Sequence, residues 1–377
     1  MKLVYLDNAA TTKMSKRVIE EMTKSFENIY GNPSSIHTLG QKAKAVVENA
    51  RHIVAKNLKV EAKEIVFTSG GAEGNNLVIK GFLKQNKDKG KHIITTKIEH
   101  STVLKTFESL EKQGYDVTYI DVTKDGIIDV EKLKKAVRKD TALVSVMFVN
   151  NETGVIQPIK EIGEFLKEKE IFFHTDAVQA IGKFEIYPKE LGIDALTVSS
   201  HKFYGPKGTG FVFIDKKYNI EKEIFGGSQE RNRRAGTENV NGILGTGVAL
   251  GEVYENMEVI FEHEKKIQEY LEEKLKNEIG KIQKVEINGE NSKRVKNITN
   301  VFIENTDIQM LLVALDMRGI CVSGGSACMS GSLENSYVLK AMGLNDEKLK
   351  SSFRISIGKD TTIEEIDYFI ENLKEII

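Results

Sequence analysis

Ala195-Leu196-Thr197-Val198-Ser199-Ser200-His201-Lys202-Phe203-Tyr204-Gly205-Pro206-Lys207-Gly208 is the stretch whose reading decides the rest of the chain. A short apolar run ends abruptly at two serines, a histidine and a lysine, which reads as a buried strand reaching the edge of a sheet. A lysine held where a buried strand ends loses its proton more easily than a solvated one. Such an amine forms a Schiff base with an aldehyde, and pyridoxal phosphate is the usual aldehyde cofactor. Alone, Lys202 reads first as one surface cation among 54 Lys and Arg residues. The surroundings decide between the two readings.

Working outward, the same apolar signal recurs at Ile65–Thr68, Ile93–Ile94, Val117–Ile120, Ala142–Phe148 and Ile171–Phe173, with polar amphipathic segments between most of them. Leu39, Ala43, Val46, Val47, Ala50, Ile53, Val54 and Leu58 fall on one helical face. Strands alternating with helices imply an α/β fold with a mostly parallel sheet covered on both faces. A long charged helix is expected from about Gly251 to Glu278. Beyond it, Ile298–Ile303, a helix around Leu311–Met317, Phe353–Ile357 and a terminal helix read as a small α+β domain. The expected division is a large domain at 15–258 and a small domain made of 1–14 and 259–377, with the N-terminal segment packed on the latter.

The chain has 377 residues, 40% hydrophobic and 29% charged, enough for a large and a small domain. A net charge of −1 gives no basic field for nucleic acid or an anionic membrane. Two cysteines, no apolar run of membrane length and no secretory prefix place the protein in the reducing cytoplasm as an expectation.

Several motifs carry chemistry. Thr68-Ser69-Gly70-Gly71-Ala72-Glu73-Gly74-Asn75-Asn76 follows a strand and opens a helix, so its glycines let backbone amides approach an anion, or simply make a tight turn. His174-Thr175-Asp176-Ala177-Val178-Gln179 closes another strand. A buried Asp176 needs a partner, either a pyridinium nitrogen or the amides of a helix start. Asp176 and Lys202 lie one strand–helix–strand unit apart, so both reach one sheet edge, where open α/β sheets bind ligands. Cys328 sits in a Gly/Ser-rich stretch, Ser323–Ser332, either as a nucleophile or as an incidental thiol. Cys321 reads as core filler. The cysteines and histidines show no metal-ligand spacing, so no metal is expected at the site. Arg354, in the apolar strand Phe353-Arg354-Ile355, needs an anion: a substrate carboxylate or a structural partner.

Together these residues resemble the cysteine desulfurases of the NifS/IscS group, among the fold-type I, class V aminotransferase-like pyridoxal-phosphate enzymes. The resemblance spans the chain through Tyr5–Thr12, Gly31–His37, Ser69–Asn76, Glu99-His100-Ser101, Val149–Gly154, Asp176 with Gln179, Ser199–Lys202, Arg231–Thr237, Ser326-Ala327-Cys328 and Ser352-Phe353-Arg354. It implies that Lys202 holds the cofactor and that His100 stacks on its ring and moves protons. Asp176 would pair with the ring nitrogen and Gln179 with the phenolic oxygen. Gly71, Ala72, Ser199 and His201 would surround the phosphate, joined by Thr237 of the opposite subunit in a homodimer. Asn151 and Arg354 would hold the carboxylate of L-cysteine, and Cys328 would take the sulfur as a persulfide. The implied partner is a sulfur acceptor such as an iron–sulfur scaffold, with transient cluster ligation by Cys328. Iron–sulfur assembly and tRNA thiolation share this chemistry. A selenocysteine lyase, an aminotransferase of the same fold and a catalytically idle scaffold-docking partner are the alternatives.

Three departures stand out. Ala72 replaces a common threonine, Met329 replaces a small hydroxyl residue, and the chain ends at Ile377 without the longer tail by which housekeeping members grip a scaffold. The length from Cys328 to Arg354 matches the long-loop subgroup.

Overall fold

The computed structural model describes residues 2–324 and 335–377. Strand β1 (Val4–Tyr5) stands apart from the main sheet. That sheet is built from β2 (Ile65–Thr68), β3 (His92–Thr96), β4 (Asp116–Ile120), β5 (Thr141–Ser145), β6 (Phe172–Asp176), β7 (Ala195–Ser199) and β8 (Gly210–Ile214), in the spatial order β2-β8-β7-β6-β5-β3-β4. Strands β3 to β7 pair in parallel, and β8 runs antiparallel to both its neighbours. β2 therefore points the same way as the parallel set, and every strand except β8 ends on one common edge.

The parallel strands β3, β5, β6 and β7 are buried along their whole length. Helices cover both faces of such a sheet, which explains continuous apolar runs in place of alternation. β8 has no counterpart in the sequence reading. Its run Gly210-Phe211-Val212-Phe213-Ile214 is as apolar as the others, but it returns antiparallel to β7 through the connection 200–209, which holds a single 3-10 turn and no α-helix. A strand–helix–strand template leaves no place for it.

The amphipathic helix expected near Leu39–Leu58 spans Thr38–Asn57 and buries Ala43, Val47, Ala50 and Val54. It packs on the helix Val240–Glu255 closely enough that a Cβ at Gly247 would lie 2.9 Å from Ala50 Cβ. The single charged helix expected over Gly251–Glu278 is in fact two. Val240–Glu255 and Met257–Asn277 meet at Asn256, whose φ of −117° and ψ of 15° leave helical geometry. The first of them is buried along most of its length, so it lacks the polar face that periodicity detects.

The C-terminal region adds β9 (Val285–Ile287), β10 (Ile298–Ile303), β11 (Ile320–Cys321) and β12 (Ser352–Ser356). β12, β10 and β9 form an antiparallel sheet, and β1 pairs in parallel with β11, Val4 opposite Ile320. Val4 and Leu6 join Leu271, Val301, Phe353 and Phe369 in a second core. The helix Met257–Asn277 gives Ile260 to the larger core and Ile267 and Leu271 to the smaller, so residue 258 falls at the start of the element that serves both. The terminal helix Ile363–Ile376 opens with a capping box between Thr362 and Glu365.

Candidate active site

A cavity of about 260 Å³ opens at the shared strand edge, lined by Gly71, Ala72, His100, Asn151, Asp176, Gln179, Ser199, His201, Lys202 and Arg354. Ala9, Ala10, Thr102, Met147, Val149 and Val178 complete the wall. Ten of the residues singled out from sequence are thereby brought together. Thr237 is exposed and outside the wall, and Cys328 lies outside the described residues.

One wall is the start of the helix Gly71–Gln85. Gly70, at a φ of +140°, provides no side-chain cap, so the first turn offers backbone amides alone. Ala72 is exposed and contributes backbone at this turn. Glu73 folds back to accept from the Ser69 amide at 2.9 Å and is gripped by Arg234, Nε at 2.8 Å and Nη2 at 3.2 Å. Burial raises the Glu73 carboxyl, but Arg234 and Ser69 outweigh it and hold the group below the usual range. Arg234 is positioned by a second, deeper pair. Arg51 donates to both oxygens of Glu230 at 2.7 and 2.8 Å, and the Phe67 amide donates to the same carboxylate at 2.9 Å. This grip holds Glu230, Arg231 and Asn232 in left-handed backbone geometry, with φ of 47°, 56° and 63°. Removing one member of such a buried pair costs about 3–5 kcal/mol.

Asp176 ends β6 almost fully buried. Its Oδ1 accepts from the Val178 amide at 3.0 Å and its Oδ2 from Asn75 Nδ2 at 2.8 Å. It therefore organises the local turn through the Val178 amide, as one of the two sequence readings had it, and also lines the cavity. Lys202 closes the turn Ser200–Lys202 directly after β7, and its ammonium donates to the carbonyls of Ala9 and Ala10 at 2.7 Å each. Gln179 Nε2 donates to the same Ala9 carbonyl at 2.8 Å. His201 Nδ1 sits 3.1 Å from Thr11 Oγ1. Burial, then the charges of Lys202 and Lys207, lower its pKa to about 4, so it is neutral at pH 7.

Opposite these groups, Arg354 is 1% exposed. Its Nη1 donates to the Asn151 carbonyl and its Nη2 to Asp7 Oδ1, both at 2.8 Å. The structural ion pair foreseen as one possibility is present. Yet Arg354 Nε and Asn151 Oδ1 are both buried without a partner among the described residues. Buried polar atoms are rarely left so, and these two lie on residues that line the cavity.

Cys321 departs from the expectation of core filler. Ile320 is fully buried, whereas Cys321 turns away and is half-buried. Burial, then Asp316 and Asp7, raise its thiol above the usual range.

Behind His100 lies an acid that sequence reasoning quoted but gave no role. Glu99 is wholly buried, accepting from Thr96 Oγ1 at 2.7 Å and the Met147 amide at 2.9 Å, while Oε2 has no partner among the described residues. Burial pushes it up to about 8, with Asp176 adding to the shift. The native state therefore keeps this proton up to about pH 8, whereas the unfolded chain releases it near pH 4.3. Between those values the native state binds more protons, so this group makes stability fall as pH rises. Glu99→Gln keeps the acceptor oxygen and removes the titration. Melting temperatures of wild type and variant should diverge between about pH 5 and 8 in the variant's favour; parallel curves would contradict a neutral Glu99.

The donor set suits pyridoxal phosphate. Helix-start amides face an anion, a carboxylate can meet a protonated ring nitrogen, and an amine can take an aldehyde. Comparison with known proteins agrees. The family described as Aminotransferase class-V matches residues 4–369. "Cysteine desulfurase IscS" of Clostridium botulinum (strain Hall) is 47% identical over 378 aligned positions, covering 100% of this chain and 94% of that protein. The protein of the same name from Methanosarcina thermophila is 47% identical, covering 100% and 92%. Among solved structures, a "NIFS-LIKE PROTEIN" superposes with a TM-score of 0.93 at 38% identity, covering 100% and 99%. The structure "SspA in complex with cysteine" superposes with a TM-score of 0.84 at 34% identity, covering 95% and 100%. The chain therefore belongs to the class-V aminotransferase family and, within it, to the cysteine desulfurases.

Proposed function

We propose that this chain is a homodimeric, cytoplasmic cysteine desulfurase that converts L-cysteine to L-alanine and passes the sulfur through Cys328 to an acceptor protein such as an iron–sulfur scaffold. The observation that carries the reading is the convergence of Lys202, Asp176, the helix start at Gly71 and Arg354 on one cavity. A related structure named for its complex with cysteine supports the substrate. The few cysteines support a reducing compartment, and no helix among the described residues is long and apolar enough to cross a membrane.

Lys202 would hold the cofactor, Asp176 its ring nitrogen, and Gln179 its phenolic oxygen. The amides of Gly71 and Ala72, with Ser199 and neutral His201, hold the phosphate. When bound, pyridoxal phosphate supplies an electron sink for charge developing at the substrate α-carbon. Arg354, whose Nε–H has no partner among the described residues, would offer it to the substrate carboxylate, with Asn151 on the opposite side. The amine of Lys202 would move the α-proton. The Cys328 thiolate attacks the substrate sulfur. A new S–S bond forms as the Cβ–S bond breaks, the bonding pair moves to carbon, and protonation there gives alanine. Incubation with L-cysteine and a thiol reductant should release alanine and sulfide in equal amounts. A keto acid without sulfide would indicate transamination, strong preference for selenocysteine a lyase, and no product an idle docking partner.

Thr237 reaches the phosphate of the opposite subunit. Its exposure suits a residue completed by a partner. A mixed dimer of Thr237→Ala and Lys202→Ala chains then contains one site with both lesions and one with neither. About half the wild-type activity per dimer should survive if the sites act independently. Activity near background would mean that Thr237 serves its own subunit.

A further inference from the structure

Asp176 and His100 are joined by a hydrogen-bonded chain through two residues to which the reaction above gives no part. Asn75 Nδ2 donates to Asp176 Oδ2 at 2.8 Å and to Thr102 Oγ1 at 3.0 Å. Thr102 Oγ1 lies 2.9 Å from His100 Nδ1, and the Thr102 backbone amide donates to the same nitrogen at 3.2 Å. Asn75 is fully buried at the second turn of the helix Gly71–Gln85. Thr102 stands in the first turn of the helix Ser101–Glu111, with His100 as its N-cap.

The direction of each link is dictated by the one before it. An ionised carboxylate only accepts, so the atom of Asn75 facing Asp176 is its NH₂ group. The second hydrogen of that group then meets Thr102 Oγ1, which must accept it. The hydroxyl keeps its own proton to give, and His100 Nδ1 is the acceptor within reach. A backbone amide also points at Nδ1, and a backbone amide cannot reverse its role. Nδ1 is thus an acceptor twice over, and the proton of a neutral His100 stands on Nε2.

On the reading of Asp176 and His100 as the groups that flank the cofactor, we propose that Asn75 and Thr102 are positioning residues that transmit the charge of Asp176 to His100 and fix its tautomer with the proton on Nε2. His100 then presents an Nε2–H hydrogen-bond donor to the cavity. Taking a further proton at Nδ1 would set an N–H against the Thr102 amide, so the chain also opposes formation of the imidazolium. Asn75 holds the Asp176 carboxylate by a charge-assisted bond, so both partners of the ring are oriented by one amide.

The test is long-range ¹H–¹⁵N correlation on the full chain labelled at histidine, with His100 assigned by comparison with His100→Asn. The expected wild-type pattern at neutral pH is a protonated Nε2 and an unprotonated Nδ1. A proton on Nδ1, or an imidazolium, would overturn the proposal. Thr102→Val should shift the Nδ1 resonance, and Thr102→Ser should restore it. Asn75→Leu should lower kcat roughly tenfold, a fraction of what general acid–base catalysis contributes, with KM within about twofold. A Thr102→Val spectrum identical to wild type, or an Asn75→Leu loss appearing only in melting temperature, would leave these residues merely structural and refute the assignment. The tautomer is read without turnover, so failure of the desulfurase reading would show separately, as a lack of alanine from a wild type with the expected spectrum.

Discussion

Lys202→Ala should lower alanine formation from L-cysteine by at least about 10⁴-fold, the upper end of what a positioned acid–base group contributes. The loss is larger than for other site changes because one side chain has two duties, attachment of the cofactor and movement of the α-proton. It also has a structural side. The ammonium donates to the Ala9 and Ala10 carbonyls; Ala9 keeps its bond from Gln179, so the loss falls on Ala10, and an unsatisfied group costs about 1–3 kcal/mol. Lys202→Arg separates the two effects. A guanidinium keeps the cation beside those carbonyls but cannot take an aldehyde, so it should restore melting temperature and leave activity at background. Borohydride reduction of wild-type protein followed by peptide mapping should place the cofactor on Lys202. A label on Lys207, or wild-type turnover in either variant, would contradict the assignment.

Cys328→Ser should abolish alanine formation while leaving cofactor content and L-cysteine binding intact. A serine hydroxyl is not ionised near neutral pH, so the nucleophile that must attack the substrate sulfur is gone. Cys321 provides the internal control. Burial and two neighbouring carboxylates keep its thiol above the usual range, and it pairs within β11 away from the cavity wall. Cys321→Ala should keep most of the activity. Equal inactivation by both substitutions would show that the thiols do not divide the labour as described.

Much of this was legible in the sequence because the site is built from strand ends. Asp176 and Lys202 follow apolar runs, and a parallel sheet brings every such end to one edge, so spacing alone placed them together. Gly70 and Gly71 announced a helix start open to an anion. Arg354 was conspicuous as a charge inside an apolar strand, though its pairing with Asp7 could not be read from residues 347 positions apart. Asn75 and Thr102 were invisible as a pair, since polar residues in the first two turns of two helices look like ordinary surface or capping positions. Their link exists only because those two helices start beside the same strand end. β8 escaped for the opposite reason: the signal was strong, but antiparallel return broke the alternation. The half-burial of Cys321 escaped because β11 is a strand of two residues on the rim of the second core.

The most direct measurement is the mass of the peptide containing Cys328 after brief exposure of the intact protein to L-cysteine, without reductant, alongside the amount of alanine released. One added sulfur atom on that cysteine, removable by a thiol and matched by one alanine per modified site, is the predicted result. Alanine with the sulfur carried on Cys321 instead, or sulfide released with Cys328 unmodified at every time point, would contradict it.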